Sequence, residues 1–403
     1  MLADGAMQTI WRRILLTRGL RGFADGLVSV LLAGYLSRLG LSPGSVGAIV
    51  TGTLLGSAAL TIVVGLAGHR LEPRHVLLGA SILMLGTGLG FAGLTAFWPL
   101  LVVAVLGTLN PSAGDVSIFL PVEQAVLAET VRPSDRTTIF ARYNVSGTLA
   151  GALGALVSGA PAVIAERRGI DVVVAERWGF LLYAGVAVVL ANVYRRLPPS
   201  TKRLAPGGTP PLARSRRIVL ELSALFTLDS LGGGFVVQSL LVLWLYRRFA
   251  LPVEVAGTIF FAAGLVSAAS QFVSAKVAAR VGLIRTMVYT HVPANVCLVL
   301  AGIVPSAPLA VTFLLLRALL SQMDVPARQA YVMAVVPPEE RAAAASVTNV
   351  PRSLAAAIPP LLTGMMLDRS AFGWPLVCGG VLKLVYDLLL LARFRSVPPL
   401  PEE

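Results

Sequence analysis

The charged residues that could do chemistry in this sequence lie inside long apolar stretches. The chain has 403 residues, of which 56% are hydrophobic and 13% charged, about half the charged fraction of a soluble domain. Asp25 and Asp229 each lie within an apolar stretch. Removing a carboxylate from water favours its protonated form, so either residue could carry a proton. For Asp25 the alternative is an ion pair with Arg21, one helical turn earlier.

Two arginines in the second half of the chain are candidates for binding an anion. Arg317 has apolar neighbours for more than a turn on either side, and Arg352 follows Asn349 and Pro351. A guanidinium group matches the geometry of a carboxylate or phosphate, and a charged residue within a membrane helix usually faces the bundle interior or a cavity. We therefore expect Arg317 and Arg352 to face the bundle interior or a cavity that could bind a substrate, together with Asn349 and its counterpart Asn144.

The elements that must position these residues are apolar runs long enough to cross a membrane as helices. The sequence predicts twelve such runs, at residues 15–38, 44–68, 75–94, 98–129, 139–164, 178–194, 219–245, 253–279, 285–304, 309–335, 343–367 and 374–393. The fourth run is over-long, and Asn110-Pro111 predicts a kink or a break within it. The predicted fold class is therefore an all-α membrane protein with twelve transmembrane helices.

An internal repeat sets the domain organisation of the chain. The residues that recur 205 positions later are Pro121, Gln124, Ala125, Val131, Pro133, Arg136, Asn144 and Val145. Residues 195–217 are rich in proline and basic residues and show no apolar periodicity, which is typical of a linker. We predict one six-helix bundle at residues 1–194, a linker at 195–217 and a second six-helix bundle at 218–403. Because each half has an even number of spans, the two repeats should be parallel.

The distribution of basic residues predicts the orientation in the membrane. Lys and Arg residues near the span ends number 23 on the side that holds both termini and the linker, and 7 on the other side. Since cytoplasmic loops carry the excess of basic residues, both termini should be cytoplasmic. The same bias accounts for the net charge of +13 without a nucleic-acid partner. The N-terminal segment lacks the pattern of a cleaved signal peptide, and we expect a multi-pass protein of the plasma (inner, cytoplasmic) membrane.

The loop after the second span carries a motif with a family resemblance. Its sequence, Gly65-Leu-Ala-Gly-His-Arg-Leu-Glu-Pro-Arg74, resembles the G-x-L-A-D-R-x-G-R-R signature of the major facilitator superfamily. Gly65, Arg70 and Arg74 match the signature, whereas His69 and Glu72 stand where the family has Asp and Gly. The resemblance implies two six-helix bundles that rock between access states, and a central cavity lined by the first, fourth, seventh and tenth spans.

The resemblance also implies an inner gate at the cytoplasmic ends of the fourth and tenth spans. Glu123 and Arg328 occupy equivalent positions there with opposite charges, so we predict that they bridge when the gate is shut. The alternative is an i,i+4 ion pair between Arg328 and Asp324. Arg136 and Arg341, at the starts of the following helices, either hold cytoplasmic helix ends together or belong to the gate.

The remaining ionisable residues of the spans are expected to be structural. Lys383 and Asp387 in the last span are spaced i,i+4 and should neutralise each other. His69, His75 and His291 show no spacing typical of a metal site, and His291 is expected to be hydrogen-bonded near a helix end. No metal ion or cofactor is expected.

Together these features predict a secondary transporter rather than an enzyme. The sequence has no Walker loop, so the energy would come from an ion gradient or from the gradient of the substrate. The leading prediction is proton-coupled export of a small amphipathic compound, an antiport in which Asp25 or Asp229 carries the proton. The alternative is transport of an anionic solute bound by the cavity arginines. The expected partners are a small-molecule substrate, a proton or other coupling ion and the lipid bilayer, with the protein a monomer.

Overall fold

The described part of the chain is built from α-helices. The computed structural model describes residues 4–67, 71–112, 117–131, 135–198, 212, 215–337 and 340–394. The helices of the first half are α1 (Asp4–Arg38), α2 (Pro43–Ala67), α3 (Pro73–Gly93), α4 (Phe97–Leu106), α5 (Phe119–Thr130), α6 (Arg136–Val157), α7 (Ala160–Arg168) and α8 (Val172–Arg195). Those of the second half are α9 (Arg216–Gly234), α10 (Gln238–Phe249), α11 (Val253–Val281), α12 (Leu283–Ile303), α13 (Ala307–Ser321), α14 (Asp324–Val335), α15 (Arg341–Ala357), α16 (Pro359–Arg369) and α17 (Trp374–Phe394).

These helices confirm the predicted fold class of twelve spans. Ten helical segments of the described chain are long and apolar enough to cross a membrane, and α4 and α13 are shorter apolar helices. The fourth span is broken between α4 and α5, as the sequence predicted, and the tenth is broken between α13 and α14. At the first break the side chain of Asn110 accepts hydrogen bonds from the backbone N–H (3.2 Å) and the hydroxyl (2.8 Å) of Ser112. A side chain that accepts a hydrogen bond from a nearby backbone N–H competes with the backbone hydrogen bonds of a helix, which favours the break at this point.

The chain forms two compact units, Met1–Gly207 with Leu251–Phe261 and Gly208–Ala250 with Ala262–Glu403. In the first unit α1 packs against α6 and α8, and α3 packs against α8. In the second unit α9 packs against α15 and α17, and α12 packs against α17. The two sets of neighbours correspond span for span, which agrees with a duplicated architecture. The predicted linker at residues 195–217 lies mostly outside the described residues, so the domain limits stay a prediction.

Glycines permit the close crossing of α1 and α6 in the first unit. A β-carbon on Gly22 or Gly26 would overlap the backbone of Gly147 or Gly151, respectively. Without side chains at the crossing the backbones approach closely, as small residues allow in membrane helix pairs. The close approach at Gly147 and Gly151 holds α1 against α6, and α1 carries polar side chains into the first unit.

The ends of the first and seventh spans share an uncommon backbone conformation. Gly40 and Ala250, 210 residues apart, have φ angles of 85° and 52°. The left-handed region is open to glycine but carries a steric cost of about 1–2 kcal/mol for a residue with a β-carbon. The repeat has therefore kept the backbone geometry at this helix end, although the second copy has alanine there.

Candidate functional sites: two buried charge clusters

The first unit contains a buried arginine–glutamate pair that joins α1 to α5. Arg21 and Glu123 are 1% and 0% exposed, and Nη2 of Arg21 donates to Oε2 of Glu123 at 2.8 Å. Thr17, one turn before Arg21, donates to Oε1 of Glu123 at 2.8 Å. The hydroxyls of Tyr143 on α6 and Tyr194 on α8 donate to the same carboxylate at 2.5 and 2.6 Å. One carboxylate therefore collects donors from three other helices.

The remaining contacts of Arg21 complete this first cluster. Its Nη1 donates to the hydroxyl of Ser117 at 3.2 Å, and its guanidinium carbon lies 5.1 Å from the ring centroid of Phe119. Burial of a charge is tolerated when the charge is paired and hydrogen-bonded, and Arg21 meets both conditions through α5. The alternative interpretation of Asp25, an i,i+4 ion pair with Arg21, is wrong, because Arg21 pairs with Glu123 instead.

Asp25 lies one turn beyond Arg21 and is left with no such partner. It is 6% exposed, and within the described part of the chain its carboxylate forms no hydrogen bond and no ion pair. The guanidinium groups of Arg21 and Arg18 lie within electrostatic range. A buried carboxylate without a hydrogen-bonded partner is costly to keep ionised, which makes Asp25 a candidate for proton binding.

The second unit contains a larger cluster centred on Asp229 of α9. Nζ of Lys383 on α17 donates to Oδ1 of Asp229 at 2.5 Å, and Nη1 of Arg328 on α14 donates to Oδ2 at 3.3 Å. The same Nη1 of Arg328 lies 3.3 Å from Oδ2 of Asp324. The alternative expectation of an i,i+4 pair between Arg328 and Asp324 is therefore confirmed, and Asp229 is a second partner that the sequence did not reveal.

A histidine–aspartate pair joins α12 to α17 beside this cluster. Nδ1 of His291 lies 2.8 Å from Oδ1 of Asp387, and the side-chain amide of Asn295 donates to Oδ2 of Asp387 at 2.8 Å. Two predictions are wrong here. Lys383 pairs with Asp229 rather than with Asp387, and His291 lies inside α12 rather than near its end. The sequence shows the i,i+4 spacing of His291 and Asn295 and of Lys383 and Asp387. The partners of these side chains, however, lie on other helices.

The two clusters contain equivalent ion pairs of opposite polarity. In each unit the pair joins the first helix (α1 or α9) to the second helix of the broken span (α5 or α14). Arg21 on α1 faces Glu123 on α5, whereas Asp229 on α9 faces Arg328 on α14. Glu123 and Arg328 are the positions that the 205-residue repeat relates. In this structure their described ion-pair partners lie within their own units, so the predicted bridge between them stays a prediction.

The predicted cavity arginines have no carboxylate partner within the described residues. Arg317 on α13 leaves its buried Nε without a hydrogen-bond partner there. Arg352 on α15 donates to two neutral groups, the hydroxyl of Ser230 and the side-chain oxygen of Asn349, each at 3.2 Å. Both arginines lie within electrostatic range of Asp229. Positive charge thus exceeds what the neighbouring carboxylates neutralise.

The two asparagines predicted for the cavity are placed differently. Asn144 on α6 is exposed, and its backbone carbonyl accepts a hydrogen bond from Thr148. Asn349 is also exposed, but it holds Arg352 through its side chain. Of the two, Asn349 is the one that the structure connects to a candidate binding residue.

The loop-motif residues are described only in part. Gly65 is exposed near the end of α2, and Arg74 donates to the backbone carbonyl of Leu197 at 3.4 Å, beyond the end of α8. Arg70 lies outside the described residues. Arg136 and Arg341 begin α6 and α15, as predicted for helix starts, and their side chains are not among those described.

Comparisons with known proteins agree with this architecture. A family model described as "Major Facilitator Superfamily" matches residues 14–321 and 224–403. An uncharacterized membrane protein of Saccharomyces cerevisiae is 25% identical over 430 residues, covering 98% of this chain and 95% of the relative. In fold, the chain is similar to the xylose transporter XylE from E. coli in an inward-open conformation (TM-score 0.75, 15% identity, 98% of each chain). It is also similar to the nucleoside transporter NupG (TM-score 0.72, 14% identity, 96% of this chain and 99% of that chain).

These matches define the class of protein. A twelve-span helical membrane protein with a duplicated six-span unit and this family match is a multi-pass membrane transporter. The chain belongs to the major facilitator superfamily.

Proposed function

We propose that this member of the superfamily is a proton-coupled secondary transporter of a small organic solute, working by alternating access. The observation that carries the proposal is the buried Asp25 carboxylate, which has no hydrogen bond or ion pair within the described residues. Ionising such a group in a membrane helix is costly, so a proton stabilises it when water is excluded. When the site opens to water, the proton can leave. A carboxylate that alternates in this way carries one proton per cycle.

The structure favours Asp25 over Asp229 for this role. Asp229 already pairs with Lys383 at 2.5 Å and with Arg328 at 3.3 Å. A proton on Asp229 would have to replace the attraction of two cations. It would leave Lys383 buried without its carboxylate and Arg328 with Asp324 alone. Asp25 presents no such obstacle, since Arg21 is held by Glu123.

The test is accumulation of solute in liposomes with an imposed pH gradient. Purified protein is screened against nucleosides, sugars, amphipathic cations and organic anions, and the solute with gradient-driven movement is then used. Asp25→Asn should abolish gradient-driven accumulation while leaving downhill exchange. Asp171→Asn is the matched control, because Asp171 is an exposed helix cap outside the buried clusters and asparagine caps equally well. Accumulation retained by Asp25→Asn would overturn the proposal.

We propose that the protein exports an amphipathic compound. The direction of transport is tested in liposomes in which the orientation of the protein is known. In liposomes that carry the protein in one orientation, a gradient drives protons toward the face of the protein that is cytoplasmic in the cell. The solute should then move the opposite way, toward the face that meets the medium. Solute that moves with the proton would show symport and contradict export.

A second candidate function, transport of an anionic solute, is favoured by the two unpaired arginines. Arg317 and Arg352 have no carboxylate partner within the described residues. A carboxylate or phosphate group of the solute would supply the anionic partner of these guanidinium groups. Ligand-induced thermal shift with small carboxylates and phosphate esters, each compared with its neutral amide or alcohol, tests this function. Arg317→Gln and Arg352→Gln should remove the shift, whereas Arg247→Gln, at an exposed helix end, should keep it. Equal shifts by the neutral analogues would exclude the anionic solute.

A further inference from the structure

The buried histidine of α12 belongs to neither of the roles assigned above. His291 is 4% exposed and lies between two carboxylates on different helices. Its Nδ1 is 2.8 Å from Oδ1 of Asp387 on α17, and its Nε2 is 3.8 Å from Oδ1 of Asp229 on α9. The first distance is that of a hydrogen bond. The second is too long for a hydrogen bond but within the range of an ion pair.

The hydrogen bonds of Asp387 identify which nitrogen of His291 carries the first proton. An ionised carboxylate only accepts, and Asp387 accepts from the side-chain amide of Asn295 at 2.8 Å through its other oxygen. With Asp387 ionised, Nδ1 of His291 is the donor to Oδ1 of Asp387, and the side-chain nitrogen of Asn295 also lies 3.2 Å from Nδ1. The lone pair of Nε2 is left on the side of Asp229, at the oxygen that also accepts from Lys383. A second proton on the ring would therefore be placed between two carboxylates.

Charged and titratable groups face this imidazole from four neighbouring helices. They are Asp229 on α9, Arg317 on α13, Asp324 and Arg328 on α14, and Lys383, Tyr386 and Asp387 on α17. Asp229 pairs with Lys383 and Arg328, and Asp324 pairs with Arg328, whereas the ion-pair partner of Asp387 among the described residues is His291. Arg317, and Arg352 on α15, lie farther away, within electrostatic range of Asp229. The cation that can face Asp387 directly is therefore an imidazolium at His291.

We propose that His291 is a second proton-binding site of this transporter, at which protonation of Nε2 ties α12 to Asp229 of α9. The proton comes from water, binds the Nε2 lone pair and converts the neutral imidazole to imidazolium, while the other proton stays on Nδ1 and continues to be donated to Asp387. Nε2–H can then donate to Oδ1 of Asp229. These two atoms are 3.8 Å apart, so they must approach to about 3 Å for a hydrogen bond to form. The proton would thereby favour the arrangement in which α9, α12 and α17 are held together. This inference rests on the proposed proton coupling, to which it adds a site.

Nitrogen-15 NMR of histidine-labelled protein tests proton binding directly. The His291 signals are assigned by their loss in His291→Gln, or, if that variant does not fold, by their persistence in a His69→Gln/His75→Gln variant. We expect the neutral ring to carry its proton on Nδ1 and to gain the second on Nε2 as the pH is lowered. Asp387→Asn removes the nearer carboxylate and should weaken proton binding at His291 about tenfold or more. An imidazole that stays neutral to pH 5 would overturn the proposal, as would proton affinity unchanged by Asp387→Asn.

The consequence for the helices is tested by thermal unfolding as a function of pH. A cationic group that gains partners in the folded protein stabilises it at low pH and loses the effect as the pH rises. The melting temperature should therefore rise more from pH 8 to pH 6 in the wild type than in His291→Gln or Asp229→Asn. The matched control is His75→Gln, since His75 lies at an exposed helix start beside Glu72 and should leave the pH profile of the wild type. Equal profiles in the wild type and His291→Gln would contradict the proposal.

The two proposals fail in distinguishable ways. If Asp25→Asn abolishes gradient-driven accumulation but His291 does not titrate, the second proton site is refuted and proton coupling stands. If His291 titrates and stabilises the fold but no solute is accumulated, the proton site stands and the coupled function is refuted.

Discussion

The exchange of Glu123 for glutamine is the most informative perturbation of the first unit. Glu123 is fully buried and accepts from Arg21, Thr17, Tyr143 and Tyr194. Glutamine has nearly the same shape, so packing changes little. It offers one acceptor oxygen in place of two and brings an NH₂ group that can only donate. Arg21 then loses its counter-ion. The NH₂ group of the glutamine also takes the place of one carboxylate oxygen, where it meets hydrogen-bond donors instead of acceptors.

The magnitude follows from the burial of the pair. Removing one partner of a buried ion pair costs about 3–5 kcal/mol, because it leaves an uncompensated charge in the interior. An exposed pair offers the comparison. Glu221 accepts from Arg217 and Arg393 at 2.9–3.1 Å, but all three are at the surface, and such pairs contribute about 0.2–1 kcal/mol. We expect Glu123→Gln to destabilise the protein several times more than Glu221→Gln.

The assay is unfolding of purified protein in detergent, by heat or by a titration with a denaturing detergent. The double variant Arg21→Met/Glu123→Gln removes the uncompensated charge as well as the pair, so it should be more stable than the sum of the two single changes implies. The reasoning would be refuted if Glu123→Gln were no more destabilising than Glu221→Gln, or if the single changes simply added.

Three further outcomes are expected elsewhere in the chain. A cysteine placed at Ser200, in the predicted cytoplasmic linker, should not react with an impermeant reagent applied to intact cells, and reaction would reverse the orientation. Ala250→Gly should raise the free energy of unfolding by about 1 kcal/mol, because glycine relieves the positive φ angle of 52°; a loss of stability would contradict the strained helix end. Gly26→Ala should destabilise α1 against α6, since its methyl group would overlap the backbone of Gly151, whereas Gly79→Ala, which meets open space, should be neutral or stabilising in the same unfolding assay.

The course of the helices could be predicted from the sequence because membrane spans need only length and apolar composition. The runs at 98–129 and 309–335 correspond to broken spans. The break beside Asn110 could be predicted because an asparagine followed by a proline disfavours a continuous helix. At Gly147 and Gly151 the absence of side chains leaves room for two helix backbones to cross closely.

The partners of the charged side chains could not be predicted in the same way. Spacing of four residues predicted pairs within one helix, Arg21 with Asp25 and Lys383 with Asp387. In the structure each basic residue instead reaches a carboxylate on another helix, Glu123 or Asp229. An i,i+4 pair gains only about 0.2–0.5 kcal/mol, whereas a buried pair between helices satisfies two charges that have no access to water. Which helices meet, and at what rotation, is tertiary information that periodicity does not contain.

The predicted gate between Glu123 and Arg328 can be weighed by the same comparison. For a bridge to form, Glu123 would have to leave Arg21 unpaired, at a cost of about 3–5 kcal/mol, while a partly exposed bridge returns about 0.2–1 kcal/mol. Arg328 would in turn leave Asp229 and Asp324. We therefore expect each residue to act through the partner in its own unit.

Double-mutant cycles decide between the two arrangements. Glu123→Gln with Arg328→Gln should be additive within about 0.5 kcal/mol, as for residues without shared partners, whereas Asp229→Asn with Arg328→Gln should show a coupling of about 0.5–3 kcal/mol. Both cycles are measured by unfolding in detergent, and the first is repeated with each transported solute to bias the conformation. Strong coupling between Glu123 and Arg328 in either condition, with rescue by the swap Glu123→Arg/Arg328→Glu, would reinstate the bridge. Additivity would leave two ion pairs of opposite polarity, one per unit, that hold the first helix of each repeat to its broken span.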